Sequence, residues 1–141
     1  MLNSESIDVF VKDWYKKLDV HAPMVDVLPM LAQEDLVLIF PEATVYGHAG
    51  FEGWYQKVIR LFFDEIHTVK EVSTEISGDS ALVKVVVLWE ASVWNAPEAN
   101  SKRIMLDAYQ TWVVKVNLEG HLVILKYTVD EIKYHSGSAK L

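Results

Sequence analysis

The chain has no cysteine, only four prolines and only six glycines in 141 residues. The missing thiols exclude disulfides, thiol nucleophiles and zinc–thiolate sites, and leave the compartment open. Positive charge is also thin, with thirteen Lys and Arg against twenty Asp and Glu and a net charge of −7. The basic residues are scattered, and Lys16–Lys17 and Lys102–Arg103 are the only adjacent pairs. A phosphate backbone or an anionic bilayer needs clustered cations, so neither nucleic acid nor membrane is expected as a partner. No apolar run approaches the ~20 residues that span a bilayer. The stretch MLNSESIDVF has no basic region leading into an apolar one, so no signal peptide and a cytoplasmic location are expected.

What is present is apolar and periodic. Hydrophobic residues make up 51% of the chain and charged ones 23%, the balance of one globular domain spanning 1–141 with a single core. Ile7, Phe10, Val11, Trp14, Tyr15 and Leu18 recur at helical spacing, with Ser6 as the expected N-cap and Asp8 near the positive end of the helix dipole. Pro23 opens a shorter helical piece that Pro29 bends, turning Val27, Leu28 and Leu31 inward. DLVLIF reads as a strand, broken at Pro41 and resumed by ATVYG. Phe51, Trp54, Tyr55, Val58, Ile59 and Phe62 then predict a third helix over about 51–64.

Beyond Glu65 the period changes to that of strands. IHTVKEVSTEIS, ALVKVVVLWEASVW, KRIMLDAYQTWVVKV and HLVILKYTVDEIKYH are four long β-rich runs, separated by the turn segments SGDS, NAPEANS and LEG. Their length predicts a long, strongly curved antiparallel meander, and the tail, 135–141, is expected to fray. Helices first and strands later make this an α+β domain with helices on one face of a bent, mostly antiparallel sheet.

Alternation assigns the faces. Ile104, Leu106, Ala108, Gln110, Trp112, Val114 and Val116 share one side of the third long strand; Val83, Val85, Val87, Trp89 and Val93 share one side of the second. These are the expected helix-facing sides. The opposite side carries Val86, Leu88, Met105, Tyr109 and Val113 among its charges. A half-apolar open face predicts association, so a homodimer through the sheet is expected.

The order helix, short helix, strand, GHAG turn, helix and four long strands covers nearly the whole chain and resembles the nuclear transport factor 2-like superfamily. Within it, the chain looks like the SnoaL-like branch related to polyketide cyclases and ketosteroid isomerases. YGHAGFEGWYQKV resembles that family's glycine-bounded turn into its third helix; GDSALVKVVVLWEA and LEGHLVILKYTVDEI resemble its central and final strands. The resemblance implies a cone-shaped, strongly curved sheet with three helices from the N-terminal half on its concave face, closing an apolar pocket. Cyclases, isomerases, dehydratases, epoxide hydrolases and non-enzymatic partner domains share this architecture, so the fold leaves the function open.

The departures from the family pattern are specific. Phe40 stands where ketosteroid isomerases carry their base, an aspartate before a proline. Their oxyanion tyrosine falls near Trp14, with Tyr15 adjacent, and their second acid near Trp112 by turn position or Asp107 by local pattern. SnoaL-like cyclases place an acid/base aspartate where Asp130 stands. Their partner histidine on the preceding strand has no match, Gln110 and Thr111 being the nearby polar residues.

Asp130 is therefore the candidate catalytic carboxylate: at the mouth of an apolar pocket, desolvation would suit it to moving a carbon-bound proton. Strict alternation places it with Lys126 and Thr128, opposite Val123, Leu125, Tyr127 and Val129, so it faces the pocket only if a bulge resets the register. His48, in the turn before the third helix, is the second catalytic candidate or else a half-solvated turn residue. His67 and His121 read as surface residues at strand starts, and His135 belongs to the tail. No histidine has the spacing of a metal triad, so neither metal nor cofactor is expected. Arg103 and Asp107, on one strand face, read as a structural ion pair across the dimer interface, or else as an echo of the carboxylate–arginine sites of epoxide hydrolases on this fold. Tyr15, Trp54, Trp89, Trp112 and Tyr127 fall on inward faces, with Gln110 among them, and are expected to line a pocket for a small apolar, ring-containing metabolite. Proton-transfer chemistry of cyclase, isomerase or dehydratase type, with Asp130 as base, stands beside a non-catalytic module with a filled aromatic core.

Overall fold

A computed structural model describes residues 2–141. Helix α1 (Ser4–Asp19) buries Ile7, Val11, Trp14, Tyr15 and Leu18 along one stripe. Its cap is Asn3 rather than Ser6. The Asn3 side chain accepts from the Ser6 amide at 2.8 Å while the Ser6 hydroxyl serves the Asn3 amide at 3.3 Å, so two otherwise orphaned donors are satisfied together. Helix α2 (Met24–Val27) passes directly into a 3₁₀ turn at Leu28–Met30, where Pro29 tightens the chain.

Strands β1 (Val37–Ile39) and β2 (Thr44–Tyr46) form a short hairpin around Pro41. Helix α3 (Gly47–Leu61) begins four residues before the expected start and ends three before the expected end. Gly47 takes φ +67, which lets the chain turn from β2 straight into the helix, and Gly50 lets β2 approach, since a Cβ there would lie 3.2 Å from that of Val45. At the other end Phe62 is already extended, and its buried ring meets Trp89 edge-on at 4.9 Å. Burial of that aromatic favours the strand.

Strands β3 (Phe62–Ser77), β4 (Ser80–Val93), β5 (Lys102–Val116) and β6 (Leu122–Tyr134) are the long meander. The sheet order is β2-β1-β6-β5-β4-β3, antiparallel except where β1 runs parallel to β6. Register shifts in β3 against β4 and in β6 against β5 add residues to one strand of each pair, and such bulges bend and coil a sheet. The result is the expected α+β cone, with the helices on the concave face. Alternation on β5 holds from Ile104 to Val114, with Ile104, Leu106, Ala108, Gln110, Trp112 and Val114 all buried, while Val116 at the strand's end is only half-buried.

On β6 the bulges overturn simple alternation. Ile124 pairs with Val114 and Lys126 with Val113, so Leu125 is extra and Ile124 takes the buried position expected of it. The tail 135–141 continues beside β5: the His135 amide donates to Met105 and the Ala139 amide to Arg103, both at 2.9 Å. The convex face holds Val86, Leu88, Met105, Tyr109 and Val113, all half-buried without a helix over them. Among the described residues, no helix is long and apolar enough to cross a membrane.

Candidate functional site

The cone encloses a cavity of about 130 Å³ between α1, α3 and the inner sheet face. Its outer rim is aromatic, with Phe40 and Trp54 stacked at 3.8 Å and nearly coplanar, and the Trp54 indole N–H on exposed Glu42. A dry cavity of about 150 Å³ accepts one benzene ring, so this space suits a single six-membered ring.

Polar groups enter from two sides. On the first, the Tyr15 hydroxyl donates to Gln110 Oε1 at 2.8 Å, and Trp112 Nε1–H donates to the same oxygen at 2.9 Å. An indole N–H can only donate, so the amide orientation is fixed with the Gln110 oxygen inward. The Tyr15 proton is then committed, and Tyr127 donates its own to Tyr15 at 3.1 Å. Gln110 itself is 4% exposed and lines the cavity, and its side-chain amide also interacts with the neighbouring Tyr127 hydroxyl. Burial holds both phenols neutral: Tyr15 is raised well above the usual phenol value, and Tyr127 is pushed up to about 12.

On the second side stands His67, whose side chain is 9% exposed. Its Nδ1 lies 2.6 Å from Asp19 Oδ1. The ring is held between Tyr15, stacked at 4.7 Å, and Trp89 at 6.2 Å. Asp19 is the last residue of α1, where the helix carbonyls disfavour a negative charge, so an N–H donor is the natural compensation. A carboxylate only accepts, so Nδ1–H donates to it; in the neutral form of the ring the lone pair then lies on Nε2, which has no partner among the described residues. Glu65 lies two residues before His67 on the same wall. Trp89 Nε1–H donates to its Oε1 at 2.9 Å, and His21 Nε2 contacts its Oε2. Burial and, in the alkaline range where the phenol titrates, the nearby Glu65 carboxylate push Tyr55 up to about 12.

The sequence candidates divide accordingly. Tyr15, Trp54, Trp89, Gln110 and Tyr127 line the cavity. Trp112 does not: fully buried behind Gln110, it packs on Tyr127 at 5.1 Å and Tyr15 at 5.9 Å. His48 lies in the first turn of α3 away from the cavity, donating through Nε2 to the Leu31 carbonyl at 3.3 Å. Asp130 lies on the convex face, exposed, accepting from Thr111 Oγ1 at 2.6 Å. A bulge does fall there, since Tyr109 pairs with Glu131 and Gln110 with Val129. It leaves Asp130 as the extra residue and turns Ile132, rather than a carboxylate, inward. Asp107 pairs with Lys70 at 3.0 Å rather than with Arg103, which donates to the Asp64 carbonyl and to Ser92 Oγ.

Sequence reasoning missed His67, Asp19 and Glu65. The signal was available in part: His67 and Val69 alternate inward on β3, and Asp19 follows the buried Leu18 at the end of the α1 stripe.

By sequence, the chain matches no protein-family model and no curated protein. By structure it is similar to a type 2 hexachlorocyclohexane dehydrochlorinase, with TM-score 0.75 and 16% identity over 96% of this chain and 90% of that one. It is also similar to a nuclear transport factor 2-like superfamily protein from Salmonella enterica serovar Typhimurium (0.74, 14%, 96% and 91%). A third likeness is to a ketosteroid isomerase-like protein from Erwinia carotovora atroseptica (0.71, 19%, 96% and 99%). At these identities the likeness establishes the fold, which is that of the nuclear transport factor 2-like proteins.

Proposed function

We propose that the cavity binds a small, mainly apolar, ring-containing molecule and that His67 removes a carbon-bound proton from it. The carrying observation is the His67 Nδ1–Asp19 Oδ1 contact at 2.6 Å on a ring whose Nε2 edge is unpaired in the wall of an apolar cavity. Asp19 holds the tautomer and stabilises the imidazolium formed on proton transfer. The amide N–H₂ of Gln110, in the cavity wall, would donate to a hydrogen-bond acceptor on the ligand, such as a carbonyl, where charge develops as the C–H bond breaks. The cavity's apolar walls exclude the water that would weaken both interactions. The dehydrochlorinase and the isomerase-like protein among the structural neighbours bear names for which such proton transfer would serve, which supports an elimination or isomerisation here.

The test uses cyclohexanone in heavy water, with α-hydrogen exchange followed by proton NMR. His67→Asn keeps an N–H toward Asp19 but has no Nε2, so exchange should fall to the buffer rate. Exchange surviving in that variant would remove His67 from the mechanism.

We also propose that the working unit is a homodimer formed through the convex face. Its support is the contiguous half-buried apolar set Val86, Leu88, Met105, Tyr109 and Val113, which no helix covers.

A further inference from the structure

The cavity wall carries a second histidine–carboxylate contact that base chemistry at His67 does not use. Glu65 is buried, its side chain 4% exposed, and its two oxygens have different partners. Oε1 accepts from the Trp89 indole at 2.9 Å; Oε2 meets His21 Nε2. Trp89 joins both pairs, since its ring also stacks against His67. Glu65 lines the cavity on one side and, on the other, a surface depression shared with His21, Asp64 and Arg103. His21 is 27% exposed by side chain, so it touches solvent where Glu65 does not.

The backbone around this contact is unusual. His21 and Asp64 both adopt left-handed conformations, φ 50 in each, without being glycine. Asp64 lies within a register shift of β3 and is held by Arg103 Nη1 on its carbonyl at 2.7 Å. Such backbone is retained where the surroundings over-determine it, and it clusters at working sites. Here it turns Glu65 inward and brings His21 across behind it.

We propose that Glu65 is the acid of an elimination reaction in this cavity, delivering a proton to the departing group and recovering it from solvent through His21. The proposal rests on the reading of His67 as base. In a β-hydroxy ketone, His67 Nε2 takes the α proton, and the C–H electron pair becomes the new C=C bond. The β C–O bond breaks with its electron pair on oxygen, which takes the Glu65 proton and leaves as water. The Glu65 carboxylate is reprotonated from His21, His21 from solvent, and His67 returns its proton to solvent. Atoms and charge balance without a co-reactant. The substrate class is then a small cyclic carbonyl compound with a leaving group β to the carbonyl.

Two probes separate the acid from the base. Cyclohexanone exchange needs only a base, whereas dehydration of a β-hydroxycyclohexanone to the conjugated enone also needs a proton on the leaving oxygen. Glu65→Gln keeps an acceptor for Trp89 but has no acidic proton. It should lower the ratio of dehydration to exchange by about 10²-fold, the usual contribution of a general acid. His21→Gly suits the left-handed backbone and opens space at the surface depression. It should lower the same ratio, and added imidazole should restore it, which a merely structural role would not produce. That variant also decides the matter if Glu65→Gln does not fold. An unchanged ratio in folded Glu65→Gln, or in His21→Gly with no response to imidazole, overturns the proposal and leaves His67 as base. Absence of exchange in the wild type overturns the base reading itself, and the acid falls with it.

Discussion

His67 Nδ1 and Asp19 Oδ1, 2.6 Å apart, join the end of α1 to the inner face of β3. The two residues are 48 positions apart in sequence and meet only because α1 lies along the concave face. The contact decides which imidazole nitrogen carries the proton, and therefore whether the cavity meets a base. Asp19→Asn offers either an amide or a carbonyl to Nδ1 and no longer stabilises the imidazolium. We expect cyclohexanone exchange to fall on the order of 10²–10⁴-fold, as when the carboxylate that orients a general-base histidine is replaced by an amide. Binding of cyclohexanone, read as a thermal shift, should persist, because Asp19 does not line the cavity. Equal losses of binding and exchange would make Asp19 a packing residue.

Gln110 supports two buried donors with one oxygen. Gln110→Leu would leave the Tyr15 hydroxyl and the Trp112 indole N–H without their shared acceptor. Each unsatisfied buried donor costs about 1–3 kcal/mol, so a loss of roughly 2–6 kcal/mol is expected in urea denaturation for the two. Gln110→Glu keeps the acceptor and removes the N–H₂, so it should retain more stability than Leu while weakening the ketone's thermal shift. A leucine variant as stable as the wild type would show that these donors find other partners.

The parts of the fold that repeat in sequence were legible. The α1 stripe and the β5 alternation each follow one period over many residues, and burial follows them except at Phe10 and Val116, which are half-buried. What broke the reading was local and tertiary. The extra residues Leu125 and Asp130 in β6 leave no mark on composition, yet each shifts the inward set by one. Asn3 caps α1 because the reciprocal contact with Ser6 satisfies two amides, whereas Ser6 alone would satisfy one. His67 looked superficial because its strand begins at Phe62, four residues before the expected start, and the helix that covers it is remote in sequence.

Asp130 provides the complementary test of the cavity's location. It is exposed and accepts a hydrogen bond from Thr111 Oγ1 at 2.6 Å on the same convex face. Asp130→Asn should leave exchange at the wild-type rate and change stability by no more than about 0.5 kcal/mol, as surface substitutions do. A large loss of exchange would mean that the convex face takes part in catalysis.

The convex face carries its own prediction. Val86 and Tyr109 are directly paired at the centre of β4 and β5, both half-buried in one protomer. An aspartate at Val86 would place an unpaired charge in the middle of a dimer interface, where desolvation is costly. Light scattering should report a dimer for the wild type and a monomer for Val86→Asp, with the circular dichroism spectrum retained. A monomeric wild type at micromolar concentration would sink the dimer.

Tyr127 links the cavity to alkaline stability. Its phenol titrates at about 12 in the folded chain against 10.0 as the ordinary value, chiefly because burial penalises the phenolate. The folded pKa is the raised one, so the unfolded chain releases its proton first. The stabilisation is fully present below pH 10 and is lost as pH rises through about 12. A difference of two units corresponds to about 3 kcal/mol for this residue. Urea denaturation across that window should show stability falling with pH, and tyrosinate absorbance should lag until the chain unfolds. Tyr127→Phe removes this residue's titration, so its stability should fall less steeply over the same window, with buried Tyr15 accounting for part of the remaining slope. Equal slopes in the two proteins would mean that the Tyr127 hydroxyl is open to solvent, and the cavity with it.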